Sequence, residues 1–324
     1  MKRVRKSIFI LVVLMFVGFV ILNVLAYNHA YAMTHFSPGG VRTGKPEQLS
    51  ALSRLKVLLM GVNLPRPVTR RLPGELDPTC KELTIPGFHD IKLSAWYVSH
   101  GDKTPLVIFF HGYGAEKSSQ IREAKVFLDM GLSVLLVDFR GCGGSSESYA
   151  TIGVLEGEDV ASVVRFVKGN MHHTSVILCG QSMGAVSILR AVHDYGVKPD
   201  GVILEAVFDT MLNTVRNRFH TMGVPSFPSA ELLVFWGGWQ WGFNGFSHNP
   251  VDYASSLTCP ALFMHGADDP RAKLIEGERV FDAAAGPKEF IKFDHTGHES
   301  YLHTHPVEWR AAVQTFLKRI AKED

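Results

Sequence analysis

The sequence has few cysteines and almost no excess charge. The four cysteines among 324 residues lack the paired spacing of a zinc site or a disulfide framework; they are Cys80, Cys142, Cys179 and Cys259. A disulfide bond between Cys80 and another cysteine is an alternative if the domain lies in an oxidising compartment. The formal net charge is +2, and four basic residues lie within the first six positions, so the remainder is slightly acidic. Such a balance does not favour nucleic acid as a partner.

Charged residues are also missing from positions 7 to 41. Within that interval, residues 8–27 form an apolar run that as a helix spans about 30 Å, the hydrocarbon thickness of a bilayer. Basic residues precede the run and none follows it until Arg42, which predicts a cytoplasmic N-terminus and an exported, periplasmic domain. Residues 1–33 are therefore predicted to be a signal-anchor, a single transmembrane helix. The alternative is a secreted protein, because Ala30-Tyr31-Ala32 resembles a signal-peptide cleavage site.

Two further regions follow the predicted anchor. Residues 34–78 are rich in proline, glycine and arginine, and we expect a tether with a short amphipathic helix within 48–60. Residues 79–324 are predicted to be one catalytic domain. A chain with 46% hydrophobic and 20% charged residues has the balance of a globular protein, and its length suits one large α/β domain.

Short apolar runs alternate with helical patterns through this domain. The runs predicted as strands are 83–86, 91–98, 106–110, 133–139, 175–179, 201–204, 261–265 and 289–293. The helical patterns cover 118–130, 156–168, 185–195, 273–285 and 307–320. This alternation predicts a mostly parallel sheet flanked by helices, with the functional site beyond the carboxyl ends of the strands. The interval at about 210–249 is rich in aromatic residues and has no strand pattern, so we expect a lid insertion there.

One strand end carries the sequence Gly180-Gln181-Ser182-Met183-Gly184. A Gly-x-Ser-x-Gly pattern between a strand and a helix is the nucleophile elbow of α/β-hydrolases, a tight turn that presents the serine. Gly180 and Gly184 allow the strand and the helix to approach each other closely. The pattern therefore predicts Ser182 as a nucleophile.

Three other strand ends supply the remaining groups of an acyl transfer. The turn His111-Gly112-Tyr113-Gly114 can direct a backbone N–H at a developing oxyanion. A carboxylate after the 261–265 strand can orient a histidine; spacing does not distinguish Asp268 from Asp269, and Glu205 is a further alternative. His298 follows the last strand and can act as general base. The chain order Ser, Asp, His is the order of the α/β-hydrolase fold.

These motifs resemble the α/β-hydrolase superfamily over roughly three quarters of the chain, from about residue 83 onward. The matching segments are 111–114, 138–145, 180–184, 265–269 and 297–298, and they are most similar to membrane-anchored bacterial serine esterases of the prolyl-oligopeptidase-like and Bem-like branches. The resemblance implies Ser182 as nucleophile, Asp269 as acid and His298 as base. It also implies an oxyanion hole made by the backbone N–H groups of Tyr113 and Met183.

Several other residues have structural interpretations. Asp138 and Arg140 are interpreted as a structural pair, Glu205 as a buried hydrogen-bonding group, and His111 as a donor that fixes its loop. The histidines at 295, 298, 303 and 305 have no carboxylate or cysteine partner in a recognisable ligand motif, so no metal is expected, and no cofactor is required.

The aromatic insertion is a candidate substrate pocket. An apolar acyl or alcohol pocket would use Trp236, Trp239, Trp241 and Phe243, since ligand sites are mostly apolar with few polar anchors. Two alternatives are simple packing of one helix over the sheet and contact of the aromatic side chains with lipid.

The sequence predicts an enzyme, a serine hydrolase that cleaves carboxylic esters through an acyl-enzyme. A lysophospholipase or lipase, a thioesterase and a small-peptide serine peptidase are alternatives, because the fold supports all of them. A small-molecule ester or a lipid-like compound is the expected substrate. A binding module that retains the fold is the non-enzymatic alternative; such modules usually lose the serine or the histidine, and this chain has both.

Overall fold

The computed structural model describes residues 2–101 and 103–323. Met1 in the predicted anchor, and Asp102 and Asp324 in the predicted catalytic domain, lie outside the described residues. Within the described ranges, eight strands form one sheet: β1 Lys81–Pro86, β2 Lys92–Val98, β3 Leu106–Phe110, β4 Ser133–Val137, β5 Val176–Gln181, β6 Gly201–Glu205, β7 Ala261–Gly266 and β8 Lys288–Phe293.

The sheet is mostly parallel, as the alternating pattern predicts. Its strand order is β1-β2-β4-β3-β5-β6-β7-β8, in which β2 runs antiparallel to both β1 and β4 and the remaining pairs are parallel. Every residue of β3 and β4 is buried, because helices cover both faces of the sheet centre. The carboxyl ends of β3, β5, β6, β7 and β8 meet at one edge of the sheet, and their loops form the site described below.

Helices cover the sheet on both faces. The α-helices of the described residues are α1 Lys2–Thr34, α2 Ala51–Met60, α3 Ile121–Asp129, α4 Glu156–Asn170, α5 Met183–Tyr195, α6 Met211–Thr221, α7 Ser229–Trp241, α8 Pro250–Ala254, α9 Leu274–Ala283, α10 Tyr301–Thr304 and α11 Pro306–Glu323. The predicted helical patterns within the domain correspond to α3, α4, α5, α9 and α11. The aromatic insertion between β6 and β7 folds as α6 and α7, followed by a short 3-10 turn and α8.

The N-terminal helix α1 has two parts with different surroundings. It runs without interruption for 33 residues, about 50 Å. Residues 3–21 are exposed, and this part is long and apolar enough to cross a membrane. Beyond it, Ala26, Ala30 and Met33 are buried against the domain. A single helix thus extends from the apolar exposed segment directly into the protein core.

The contact between α1 and α7 combines hydrogen bonds with aromatic packing. The Trp236 indole N–H donates to Asn23 Oδ1 at 3.2 Å, and the Gln240 amide donates to the Tyr27 carbonyl at 2.9 Å. The Tyr27 ring meets the Trp236 ring edge to face, with centroids 5.5 Å apart. These specific contacts fix the direction in which α1 leaves the domain.

Residues 35–78 lie along the surface of the domain. A backbone bridge joins His35 to Tyr149, and the Arg66 guanidinium donates to the Ser145 carbonyl. Arg42 donates to the Gly114 carbonyl at 2.6 Å, which brings this segment to the turn after β3. The segment expected to be a tether therefore contributes directly to the surroundings of the site.

The predicted pairing of Asp138 with Arg140 is wrong. Asp138 instead binds Lys117, with 2.5 Å between Oδ2 and Nζ, and both side chains are buried. Arg140 forms an ion pair at 2.7 Å with Asp159 on α4. Each of the two side chains therefore pairs with a counter-ion from a different neighbouring element rather than with the other.

Candidate active site

Ser182 lies at the tight turn between β5 and α5. Its backbone has φ 52° and ψ −113°, a left-handed conformation that a residue with a side chain adopts only at a cost of about 1–3 kcal/mol. The Ser182 N–H donates to the Glu205 carbonyl at the end of β6, at 2.8 Å, and this bond helps to hold the turn. Strain of this kind, maintained by the surrounding sheet, is typical of a nucleophile elbow.

The two elbow glycines are required by close backbone contact. A Cβ atom on Gly184 would lie 2.1 Å from the Phe110 carbonyl oxygen, and one on Gly180 would lie 2.6 Å from the Ala185 nitrogen. Both distances are far inside van der Waals contact and involve backbone atoms that cannot move aside. The glycines therefore permit α5 to start directly against β3 and β5.

His298 is held by a buried carboxylate. Its Nδ1 lies 2.7 Å from Oδ2 of Asp269, whose side chain is fully buried. The other oxygen, Oδ1, accepts from the backbone N–H groups of Arg271 and Ala272. Burial alone would raise the pKa of Asp269, but the hydrogen bonds from His298 and the two N–H groups outweigh it and lower that pKa. The carboxylate is therefore ionised at neutral pH and accepts the Nδ1 proton, leaving Nε2 as a base.

The two alternative acids have other surroundings. Asp268 has 68% of its side chain exposed and lies 3.8 Å from His295, away from His298. Glu205 is buried and accepts from the Trp309 indole N–H at 2.7 Å. Burial and the neighbouring Glu123 raise the pKa of Glu205 to about 8, so it is uncharged at neutral pH. Of the three carboxylates, the one that contacts His298 is Asp269.

The turn after β3 lies against the elbow. A Cβ atom on Gly112 would lie 3.8 Å from the Ser182 Cβ, which places this turn beside the serine. His111 secures the turn: its Nδ1 lies 2.8 Å from the Gly112 carbonyl, and its Nε2 accepts from the Phe139 N–H. Burial lowers the pKa of His111, which keeps the ring neutral and suits one donating and one accepting nitrogen.

Two backbone donors beside Ser182 have no acceptor. Among the residues that the structure describes, neither the Tyr113 N–H nor the Met183 N–H donates a hydrogen bond. Both residues line one cleft with Ser182 and His298, and the volume of this cleft is about 250 Å³. Within the described ranges no hydrogen bond joins the Ser182 hydroxyl to the His298 ring. The cleft thus holds a serine, an oriented imidazole and two free N–H groups.

The aromatic residues predicted as a substrate pocket lie away from the cleft of Ser182 in the described structure. Within the described part of the chain, the cleft lining includes none of Trp236, Trp239, Trp241 and Phe243. Trp236 and Trp239 pack on Tyr27, and Trp241 stacks on His35. Phe243 lines a separate small apolar cavity beside α1. These side chains face α1 because its buried end occupies the apolar face of α7.

Three basic residues of the cleft have no counterpart among the sequence-based predictions. Lys45, Arg218 and Arg271 line it together with Ser182. Lys45 lies in the predicted tether and Arg218 on the predicted lid, so no local motif connects either one with the nucleophile. Arg271 follows Asp269 by two positions on the loop after β7. This nearness to the candidate acid is the sequence feature that could have indicated its place in the cleft.

The chain is similar to known hydrolases in sequence and in structure. Residues 101–222 match the family described as serine aminopeptidase, S33. In structure, the chain is similar to the Pyrococcus furiosus esterase Pf2001, with a TM-score of 0.67 and 25% identity over 79% of this chain and 97% of the esterase. The chain is a serine hydrolase of the α/β-hydrolase superfamily.

Relatives of this α/β-hydrolase include proteins with and without an assigned activity. It is 25% identical to the uncharacterised protein YqkD of Bacillus subtilis, over 72% of this chain and 77% of that protein. It is also 25% identical to the lysophosphatidylserine lipase ABHD12 of Danio rerio, over 61% of this chain. The chain spans about half the length of that lipase, 52%.

Proposed function

We propose that this α/β-hydrolase cleaves carboxylic esters through an acyl-enzyme on Ser182. His298 Nε2 takes the hydroxyl proton as Ser182 Oγ attacks the ester carbonyl, and Asp269 stabilises the resulting imidazolium. His298 then gives that proton to the departing alcohol. Water, activated by the same imidazole, hydrolyses the acyl-enzyme and regenerates the serine. The observation that carries this proposal is the 2.7 Å contact between His298 and the buried Asp269 in the cleft of Ser182.

The free N–H groups of Tyr113 and Met183 are the proposed oxyanion hole. Each such donor contributes about 3 kcal/mol to the stability of the transition state in comparable enzymes. The missing bond between Ser182 and His298 is compatible with this mechanism, because catalytic hydrogen bonds often form only when substrate is bound. We propose that the serine side chain turns toward the imidazole as the ester enters.

A substrate panel with the full-length enzyme tests this function. We expect p-nitrophenyl esters to be hydrolysed faster than aminoacyl p-nitroanilides and acyl thioesters, and a fluorophosphonate probe to label the protein. Similarity to an esterase and a lipase supports the preference for esters. The nitroanilides are the comparison substrates because the matched family is described as a peptidase family. Faster cleavage of the nitroanilides would indicate a peptidase. No labelling and no turnover would indicate a binding module.

Esters of membrane lipids are a second candidate, favoured by the position of α1. An exposed apolar surface as long as residues 3–21 is unfavourable in water and suits a bilayer. Trp239 and Phe235 are exposed on α7, beside the point where α1 leaves the domain, as in the aromatic belts of membrane interfaces. We propose a single-pass anchor with a cytoplasmic N-terminus and an exported domain whose α7 face touches lipid.

Two truncations test the anchor and its buried end. We expect deletion of residues 2–21 to release the protein from the membrane fraction while leaving its melting temperature unchanged. Deletion of residues 2–33 removes buried Ala26, Ala30 and Met33 as well, which should lower the free energy of unfolding by about 3 kcal/mol or more. Thermal melting in the same detergent compares the two. If the protein without residues 2–21 stays in the membrane fraction, the proposed anchor is wrong. If the two truncated proteins melt at the same temperature, the buried end of α1 does not stabilise the domain.

A further inference from the structure

The Arg218 guanidinium has no hydrogen-bond or ion-pair partner in the described structure, although it contacts an aromatic ring. It extends from α6 into the cleft of Ser182 and lies over the Tyr113 ring, 5.4 Å from the ring centroid. Within the described residues it makes no hydrogen bond and no ion pair. A partly buried arginine usually has a carboxylate or several carbonyl acceptors, because desolvation of an unpaired charge is costly. The vacant donors therefore suggest a ligand that supplies the acceptor.

Two further cations line the same cleft. Arg271 pairs through Nη2 with Glu47, but its Nε is buried without an acceptor. Lys45 is exposed at the cleft opening. Burial and the positive charge of Arg271 both lower the pKa of Arg218, so each opposes the charge that Arg218 carries. Three cationic side chains lie near a single carboxylate, that of Glu47, so this side of the cleft has a net positive charge.

The acidic residues of the cleft bind other groups. Glu123 accepts from the Ser300 hydroxyl and Glu205 from the Trp309 indole, and Glu205 is uncharged at neutral pH. Glu299 is exposed, in the loop after β8 that carries His298. In the described structure none of the three makes an ion pair with Arg218 or Arg271. The glutamates that line the cleft therefore do not neutralise the charges of Arg218 and Arg271.

We propose that Arg218, with Arg271 and Lys45, binds an anionic group carried by the ester substrate, either a phosphate or a carboxylate. Guanidinium groups present donors in a planar fork that matches the oxygens of both anions. Arg218 and Ser182 line one cleft of about 250 Å³, so the anionic group and the ester carbonyl of one substrate would share it. This inference rests on the proposed esterase function, and it narrows the substrate class to anionic esters.

Matched substrate pairs test the inference with the full chain in an uncharged detergent. One pair is 1-oleoylglycerol and 1-oleoylglycerol 3-phosphate, which places the anion on the alcohol. The other is methyl hexanoate and monomethyl adipate, which places a carboxylate on the acyl group. We expect the ratio of kcat/KM for the anionic over the neutral member to fall about 10- to 100-fold in Arg218→Gln, in at least one pair. The responding pair identifies the anion and its position.

Three controls separate a binding role from damage to the fold. Arg218→Lys keeps the charge but loses the planar fork, so its ratio should lie between those of the unmodified chain and Arg218→Gln. Arg216→Gln, on the same helix, removes a guanidinium that pairs with Glu231 outside the cleft lining, and it should leave the ratio unchanged. Melting temperatures report any loss of folding. An unchanged ratio in Arg218→Gln for both pairs, or an equal fall in Arg216→Gln, would overturn the inference.

Direct binding measurements distinguish failure of the anion-site inference from failure of the proposed esterase function. Hexyl phosphate and hexanoate carry the two anions but no cleavable carboxylic ester, and calorimetry measures their affinity without any turnover. We expect at least one of them to bind about 10-fold or more weakly to Arg218→Gln than to the unmodified chain. Equal affinities of both ligands for the two proteins would refute the anion site, whether or not the enzyme cleaves esters.

Discussion

Replacement of Ser182 by alanine is expected to lower kcat for a p-nitrophenyl ester about a million-fold, to the level supported by the remaining cleft. Ser182, His298 and the residues with free N–H groups, Tyr113 and Met183, line the same cleft. Without Oγ no acyl-enzyme forms, and neither the base nor the oxyanion donors can act on a covalent intermediate. Residual catalysis would come from polarisation of the ester carbonyl alone.

Single and double variants measure this effect. His298→Gln should cause a loss of similar size, and Ser182→Ala combined with His298→Gln should be little worse than either alone, because the two groups act as a unit. Ser255→Ala is the matched control, since that serine is exposed directly after α8 and does not line the cleft. Probe labelling or turnover that persists in Ser182→Ala would show that another residue is the nucleophile.

The second large effect is expected at Asp269. Asp269→Asn should lower kcat about 10,000-fold, because an amide can donate to Nδ1 and so stabilise the wrong tautomer of His298. The carboxylate is fully buried and has a lowered pKa, so it supplies a fixed negative charge at neutral pH. In the proposed mechanism this charge stabilises the imidazolium of His298.

Asp268→Asn is the matched control for Asp269→Asn. The two residues are adjacent, and the same chemical change is made in each, but Asp268 is exposed and faces His295. We expect Asp268→Asn to retain activity within a factor of a few. Steady-state kinetics on one ester compares the two variants. A severe loss at Asp268 together with a mild loss at Asp269 would require a different acid.

Much of the fold could be predicted because its signals are local. Strands such as 106–110 are continuous apolar runs, and α4 and α5 repeat apolar positions at the helical period. The elbow could be predicted because a strand, two glycines and a helix are consecutive in the chain. The carboxyl ends of parallel strands share an edge, so the positions of Ser182 and His298 on such loops already predicted their proximity.

The aromatic insertion shows where local pattern was insufficient. Its side chains suit a substrate pocket, lipid contact or packing equally well by composition. The end of α1, about 200 residues earlier in the chain, determines which of these roles the side chains have. Its Asn23 accepts a hydrogen bond from the Trp236 indole N–H. A contact over that separation leaves no periodic pattern in either segment.

The sequence by itself determined the strands, the helices, the elbow serine and the order of the candidate residues, because each depends on neighbours within a few positions. The family resemblance favoured Asp269, and the tertiary structure shows that Asp269 rather than Asp268 contacts His298. Only the tertiary structure shows that Arg218 lines the cleft of Ser182 without a hydrogen bond or an ion pair in the described residues. Those outcomes depend on which side chain is buried and on the distance between remote segments. Burial and distance are properties of the packed chain, and adjacent residues of one type can differ completely in both.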